Sequence, residues 1–188
     1  MQTAAKTEFV SVAEYLAAEA TSRDRHEYLG GEVYAMSGTS RAHNTIALNL
    51  ASLLRARMKS RGCQVFISDI RVHLTLRHDD YYYYPDVLVT CDKRDLADRD
   101  SQFVEHPKMI IEVLSDSTER VDKREKFFAY TQIASLEEYV LVAQKTHEVT
   151  VFRRANHWKP EVITGAKATV SFKSLRLKLP LKDIYEGV

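Results

Sequence analysis

The segment Met109-Ile110-Ile111-Glu112-Val113-Leu114 constrains this chain more than any other. Its apolar residues follow one another without the alternation of a half-exposed strand, so it reads as a short strand buried on both faces in the middle of a sheet. Glu112 interrupts that run where the pattern calls for another apolar side chain. A buried carboxylate costs several kcal/mol unless it is paired, hydrogen-bonded or bound to a metal. An ion pair with a nearby Lys or Arg is the plain reading, and a metal site is the functional one.

The rest of the chain supplies helices and strands to surround such a sheet. Ser11 and Glu14 have capping-box spacing, which predicts a helix from about residue 12 to 20. Gly30 and Gly31 between two short runs predict a tight hairpin. From Ser40, Ile46, Ala47, Leu50, Leu53, Leu54 and Met58 recur at three- and four-residue steps, the stripe of an amphipathic helix ending before Gly62. CQVFI, IRVHLTL and YYPDVLVT read as strands of an antiparallel meander. A helix is expected from about Arg120 to Ile133, capped by Ser117 or Thr118. EEYVLVA, EVTVFR, WKPEVIT and the ATVSF to LRLKL region read as further strands, and LKDIYEGV as a terminal turn or short helix. The expectation is an α/β (α+β) chain, 1–188 as one domain, with residues 1–9 a flexible N-terminus.

Composition narrows the functional classes. Lys and Arg number 27 against 26 Asp and Glu, a net charge of +1, so bulk charge does not drive contact with nucleic acid and any such contact must be local. A basic excess near the C-terminus (Arg153, Arg154, Lys159, Lys167, Lys173, Arg176, Lys178, Lys182) is spaced as a solvated strand face. The two cysteines, Cys63 and Cys91, lie far apart without histidines at ligand spacing, which argues against a zinc knuckle or a disulfide framework and favours a reducing cytoplasm. No basic and apolar leader is visible at the start, and no apolar run approaches the roughly 18 residues of a membrane span.

A second carboxylate, Asp86, follows Pro85 at the start of another apolar run. If the two strands are neighbours, Asp86 and Glu112 can converge on a hard cation such as Mg²⁺, with Mn²⁺ as substitute, which takes oxygen ligands and acidifies a bound water. That equipment suits phosphodiester hydrolysis.

Pro85-Asp86 followed by Glu112-Val113-Leu114 resembles the PD-(D/E)XK nuclease superfamily. RHEYLGGEV, SDIRV, YPDVLVT and IEVLSDSTERVDKREK together are similar to the bacterial Uma-two family of restriction-endonuclease-like proteins, from about residue 9 to the C-terminus. The resemblance implies a restriction-endonuclease-like core, a mixed central β-sheet flanked by helices, with additional strands at the C-terminus. It also implies metal ligation by Asp86 and Glu112. Glu27 matches an acidic position of the family and would support the metal or a second water; without the resemblance it reads as a hairpin-surface charge. Asp69 matches a family position as well and stands as a neighbour of the site.

One position departs from the superfamily pattern: Leu114 stands where a lysine is expected. Another cation can perform its electrostatic task from elsewhere. Lys126 is the candidate, because Ala129, Tyr130 and Ile133 follow it at i+3, i+4 and i+7 and place it on the inward helix face. Asp122, one turn earlier, can hold its ammonium. Lys123 and Arg124 compete for the role, and a salt bridge to Glu125 or Glu119 is the plain alternative. His43, at the start of the long helix, can meet a phosphate or serve as a local hydrogen-bonding residue. Ser115, Ser117 and Thr118 read as caps and turn formers, not nucleophiles. Tyr81 to Tyr84 form an aromatic run able to stack on bases, although alternation places half of it in the core.

The expectation is a Mg²⁺-dependent endonuclease acting on nucleic acid, DNA first, cytoplasmic, without membrane contact, and a homodimer if both strands of a duplex are cut. The rival is a nuclease-fold module that has lost catalysis and binds nucleic acid or a protein partner. Hydrolysis of a small phosphoester would use the same chemistry.

Overall fold

The computed structural model describes residues 9–36, 38–115 and 119–188. Helix α1 (Val12–Glu19) begins with the expected capping box: Ser11 accepts from the Glu14 amide, and Glu14 reaches back to the Ser11 amide at 2.9 Å. Strands β1 (His26–Leu29) and β2 (Glu32–Ala35) form the glycine hairpin. Gly30 and Gly31 have φ of 55° and 103°, and a Cβ on Gly31 would run into the Phe9 ring, so the turn requires glycine twice over. Helix α2 (Arg41–Met58) follows, capped by Ser40, with Ile46, Leu50 and Leu54 fully buried.

Strands β3 (Gln64–Ile67), β4 (Arg71–Leu76), β5 (Asp79–Tyr83) and β6 (Val87–Thr90) come next. They do not form the expected meander. β3 pairs with β6, whereas β4 and β5 pair with each other and join β1 in a different sheet. The chain changes sheets at Tyr84 to Asp86, where Pro85 has no amide hydrogen to continue a ladder. Local alternation is identical for a meander and for strands divided between sheets, which is why the pattern alone misled.

After α3 (Lys93–Ala97) come β7 (Phe103–Val104), β8 (Pro107–Leu114), α4 (Glu119–Val121), a π-helical turn (Asp122–Lys126) and α5 (Phe127–Thr131). The chain ends with β9 (Glu138–Ala143), β10 (Glu148–Arg153), β11 (Pro160–Thr164), β12 (Thr169–Phe172), β13 (Leu177–Pro180) and α6 (Leu181–Ile184). The expected caps Ser117 and Thr118 lie outside the described residues, as does most of the N-terminal segment 1–9.

The main sheet runs β11-β10-β9-β8-β6-β3, and the second runs β2-β1-β5-β4-β7. β8 sits between antiparallel β6 and parallel β9, the central buried position expected for it. Its alternate residues divide two cores. Met109, Ile111 and Val113 pack with the apolar face of α2. Ile110 and Leu114 face the other side with Tyr83, Tyr130 and Tyr139. Glu112 alternates with Ile110 and Leu114, so its carboxylate enters this second, aromatic core. No helix among the described residues is long and apolar enough to cross a membrane.

Two expectations about charge and cysteine are corrected. Cys63 and Cys91 are joined by a disulfide, with their Cα atoms 4.1 Å apart. The β3/β6 register, Gln64 opposite Thr90, carries Cys63 opposite Cys91 although 28 residues separate them in sequence. The cysteines therefore give no argument for a reducing compartment. Arg153 is not part of a solvated face: it is buried and donates to Glu138 at 2.7 Å and to the Ser171 carbonyl at 2.7 Å. Lys159, Lys167, Lys173, Arg176, Lys178 and Lys182 are exposed, as expected.

Candidate active site

Because β6 and β8 are neighbours, Val87 opposes Ile111 and the preceding residue, Asp86, falls level with Glu112. The two are braced reciprocally: the Asp86 amide donates to Glu112 Oε2 at 3.2 Å, and the Val113 amide donates to Asp86 Oδ2 at 2.7 Å. Asp86 Oδ2 also lies 3.1 Å from His43 Nε2, which descends from the first turn of α2.

The opposite wall is the π-helical turn, whose widened backbone turns both Asp122 and Lys126 inward, where they are buried. Lys126 Nζ lies 3.0 Å from Glu27 Oε1, 3.3 Å from Glu112 Oε1 and 3.5 Å from Asp122 Oδ1. The Tyr130 hydroxyl donates to Glu112 Oε1 at 3.2 Å. Glu27, on β1, also accepts from the Tyr84 amide at 3.1 Å. One ammonium thus ties β1, β8 and the helix together.

The structure brings Glu27, His43, Asp86, Glu112 and Lys126 into one cluster and leaves two sequence candidates outside it. Asp69 is exposed and paired with Arg25. Lys123 is exposed and paired with Glu119 one turn earlier, and its competitor Arg124 is exposed as well. Helical phase separates the three cations: of them only Lys126 shares the face of Ala129 and Tyr130. The tyrosine run also departs from a base-stacking role, since Tyr82, Tyr83 and Tyr84 are buried and Tyr81 is half-buried. Sequence reasoning missed Tyr130 as a partner of Glu112, although its i+4 spacing from Lys126 already placed it on the same face.

Electrostatically the cluster is overloaded with negative charge. Burial, together with repulsion from Asp122, Asp86 and Glu27, outweighs the pull of Lys126 and pushes the Glu112 carboxyl well above its usual range. Burial opposes the Lys126 ammonium, but Glu112, Glu27 and Asp122 together hold it more firmly protonated than an ordinary lysine. Burial also disfavours a charged His43, yet its contact with Asp86 leaves the imidazole pKa above its usual value.

Among the described residues, no three His, Cys, Asp or Glu side chains stand at metal-ligating distances from one another. The donor chemistry nevertheless fits a hard cation. Three carboxylates (Glu27, Glu112, Asp122) surround one ammonium, a fourth, Asp86, stands beside Glu112, and Asp86 Oδ1 takes no hydrogen bond among the described residues. Excess buried negative charge with oxygen donors is the environment that Mg²⁺ or Mn²⁺ relieves.

A mixed sheet with carboxylates on two adjacent inner strands and an ammonium from a flanking helix defines the restriction-endonuclease-like class. The chain belongs to the family described as "Uma2: Putative restriction endonuclease", whose model matches residues 12–182. That membership supports a nuclease-like function. The chain is 32% identical to the Synechocystis sp. protein slr1290 over 95% of its own length and 93% of that protein. It is 31% identical to sll1609 of the same organism, over 94% of this chain and all of that one. In fold it is similar to the crystal structure of "a putative nuclease belonging to DUF820" from Anabaena variabilis, with a TM-score of 0.77, 20% identity, and coverage of 94% of this chain and 97% of that one.

Proposed function

We propose that the protein is a metal-dependent endonuclease that hydrolyses phosphodiester bonds of nucleic acid, with DNA as the first substrate to test. The observation that carries this reading is the reciprocal bracing of Asp86 and Glu112 on adjacent strands, with Lys126 in contact with Glu112. Asp86 and Glu112 would hold a divalent cation, Mg²⁺ or Mn²⁺, which when bound would supply positive charge beside the scissile phosphate and make a water more acidic.

The protein's own residues do the rest. Asp86 is fixed by the Val113 amide and His43, so its free oxygen needs no reorganisation to accept a ligand. Lys126 offsets the negative charge that grows on the phosphate as a water oxygen attacks phosphorus and the ester oxygen leaves. Glu27 and Asp122 hold that ammonium in place. Cleavage of both strands of a duplex requires two such sites, which a symmetric dimer provides.

Leu114 favours a second reading, a catalytically silent nuclease-fold module that binds nucleic acid or a protein. Supercoiled plasmid and labelled single- and double-stranded oligonucleotides, incubated with Mg²⁺ or Mn²⁺, separate the two. Cleavage that disappears in Asp86→Ala and Glu112→Ala supports the enzyme. Undiminished cleavage in either variant removes the assignment, and binding without cleavage in the wild type supports the module.

A further inference from the structure

Cys63 and Cys91 stand just beyond one end of the β3/β6 ladder, and their disulfide is not sealed into the core. Both cysteines pack against the core beneath α2, yet both are only half-buried, and both line a surface groove of about 430 Å³. Cys63 also borders a larger groove of about 830 Å³ beside β3, whose lining does not include Cys91. The disulfide is therefore open to small molecules from solvent, and Cys63 is its more accessible end.

The smaller groove is one-sided in charge. Arg61 from the turn after α2, Lys108 on β8 and Arg176 between β12 and β13 line it together with the two cysteines, and no Asp or Glu does. In a chain of net charge +1 this is a local excess. Lys108 is paired with Glu137, outside the lining. Arg61 donates to the Leu175 carbonyl, which directs its guanidinium without neutralising it, and neither Arg61 nor Arg176 forms an ion pair among the described residues. Such a rim concentrates anions and stabilises the thiolate that leaves when a disulfide is attacked.

We propose that this groove is a thiol-exchange site, at which an anionic low-molecular-weight thiol reacts with the Cys63–Cys91 disulfide. The thiolate of the small molecule attacks the Cys63 sulfur, the bond to Cys91 breaks, and its electron pair stays on Cys91 as a thiolate beside the cations. A mixed disulfide then stands on Cys63. A second small thiolate attacks the small molecule's own sulfur in that mixed disulfide, which releases the small-molecule disulfide and leaves a thiolate on Cys63. The protein disulfide is thereby reduced by two electrons and two small thiols are oxidised. The first step already removes the staple between β3 and β6. The inference is independent of the reading given to the Asp86/Glu112 cluster.

The test uses the full chain. Wild type is incubated with reduced glutathione, which is anionic, or with neutral β-mercaptoethanol, quenched with acid and read by intact mass, in the folded state and in urea. The ratio of the glutathione rate to the mercaptoethanol rate should be about tenfold larger in the folded protein than in the unfolded chain. About 0.5 M salt should remove that excess. Arg61→Gln/Arg176→Asn should bring the ratio close to the unfolded value, whereas Lys167→Gln/Lys182→Gln, which changes net charge equally outside the groove, should leave it unaltered. Peptide mapping of the quenched intermediate should place the glutathione on Cys63.

A disulfide that glutathione leaves intact while dithiothreitol reduces it is a structural staple alone, and that result overturns the proposal. So do equal rate ratios in the folded and unfolded states, equal losses in the two double variants, or an adduct on Cys91. Thermal melts check that both double variants are folded. Should the arginine variant not fold, the salt dependence of the wild-type ratio decides, since it needs no substitution.

Discussion

Asp86 and Glu112 fix one another through the backbone: the amide of Asp86 holds Glu112 Oε2 at 3.2 Å, while the amide following Glu112 holds Asp86 Oδ2 at 2.7 Å. Neither carboxylate can turn away without leaving a peptide amide, that of Asp86 or of Val113, without its partner. The pair is therefore preorganised by the β6/β8 register itself, and its consequences can be measured.

The first is a stability that depends on the proton of Glu112. Its folded pKa lies above the ordinary 4.5, so between those values the folded state binds more protons than the unfolded state. This group's contribution then falls as pH rises from the unfolded pKa through the folded one. Thermal melts of metal-free protein should show that decline, and Glu112→Gln should flatten it and raise Tm at neutral pH. An identical pH slope in the variant would contradict the assignment.

Metal binding should displace that proton. Calorimetric titration of Mn²⁺ in buffers of different ionisation enthalpy is expected to show release of about one proton below the folded pKa of Glu112, with affinity rising about tenfold per pH unit there. Glu112→Gln should lose both the release and most of the affinity. Proton-neutral binding would place the ion elsewhere.

Lys126 stands against three carboxylates, so Lys126→Met leaves them uncompensated at a cost of about 3–5 kcal/mol. Mn²⁺ should restore more Tm in this variant than in the wild type, while cleavage stays depressed by about 10²–10³. Cleavage at the wild-type rate would rule out its electrostatic role.

Arg153 and Glu138 form a buried pair remote from this chemistry. Glu138 also accepts from the amides of Lys173 and Ser174, at 2.9 and 3.1 Å. Arg153→Met should lower stability by about 3–5 kcal/mol and leave Mn²⁺ affinity unchanged. A matching loss of metal affinity would show that the two regions are coupled.

The disulfide spans 28 residues and staples edge strand β3 to β6. Reductant, or Cys63→Ser/Cys91→Ser, should remove about 2–4 kcal/mol of stability. An unchanged urea midpoint under reduction would show that the cross-link constrains the unfolded chain little.

Much of this protein is legible in its sequence. Ser11 and Glu14 announced α1, Gly30 and Gly31 the hairpin, and the Ile46 to Met58 stripe announced α2, because caps, turns and amphipathic faces are local properties of the chain. Glu112 stood out because a charge within an apolar run is costly wherever that run is buried. Lys126 was placed on the inward face by helical phase alone, which also keeps Lys123 and Arg124 at the surface. The assignment of β3, β4, β5 and β6 to two sheets was settled only by tertiary structure, as was the meeting of Cys63 with Cys91, 28 residues apart. The same holds for Glu27 reaching Lys126 across 99 residues and for Asp69 turning outward to Arg25. Strand alternation states which face a residue takes but not which strand lies beside it, and pairing between distant segments is decided by the packing of the whole chain.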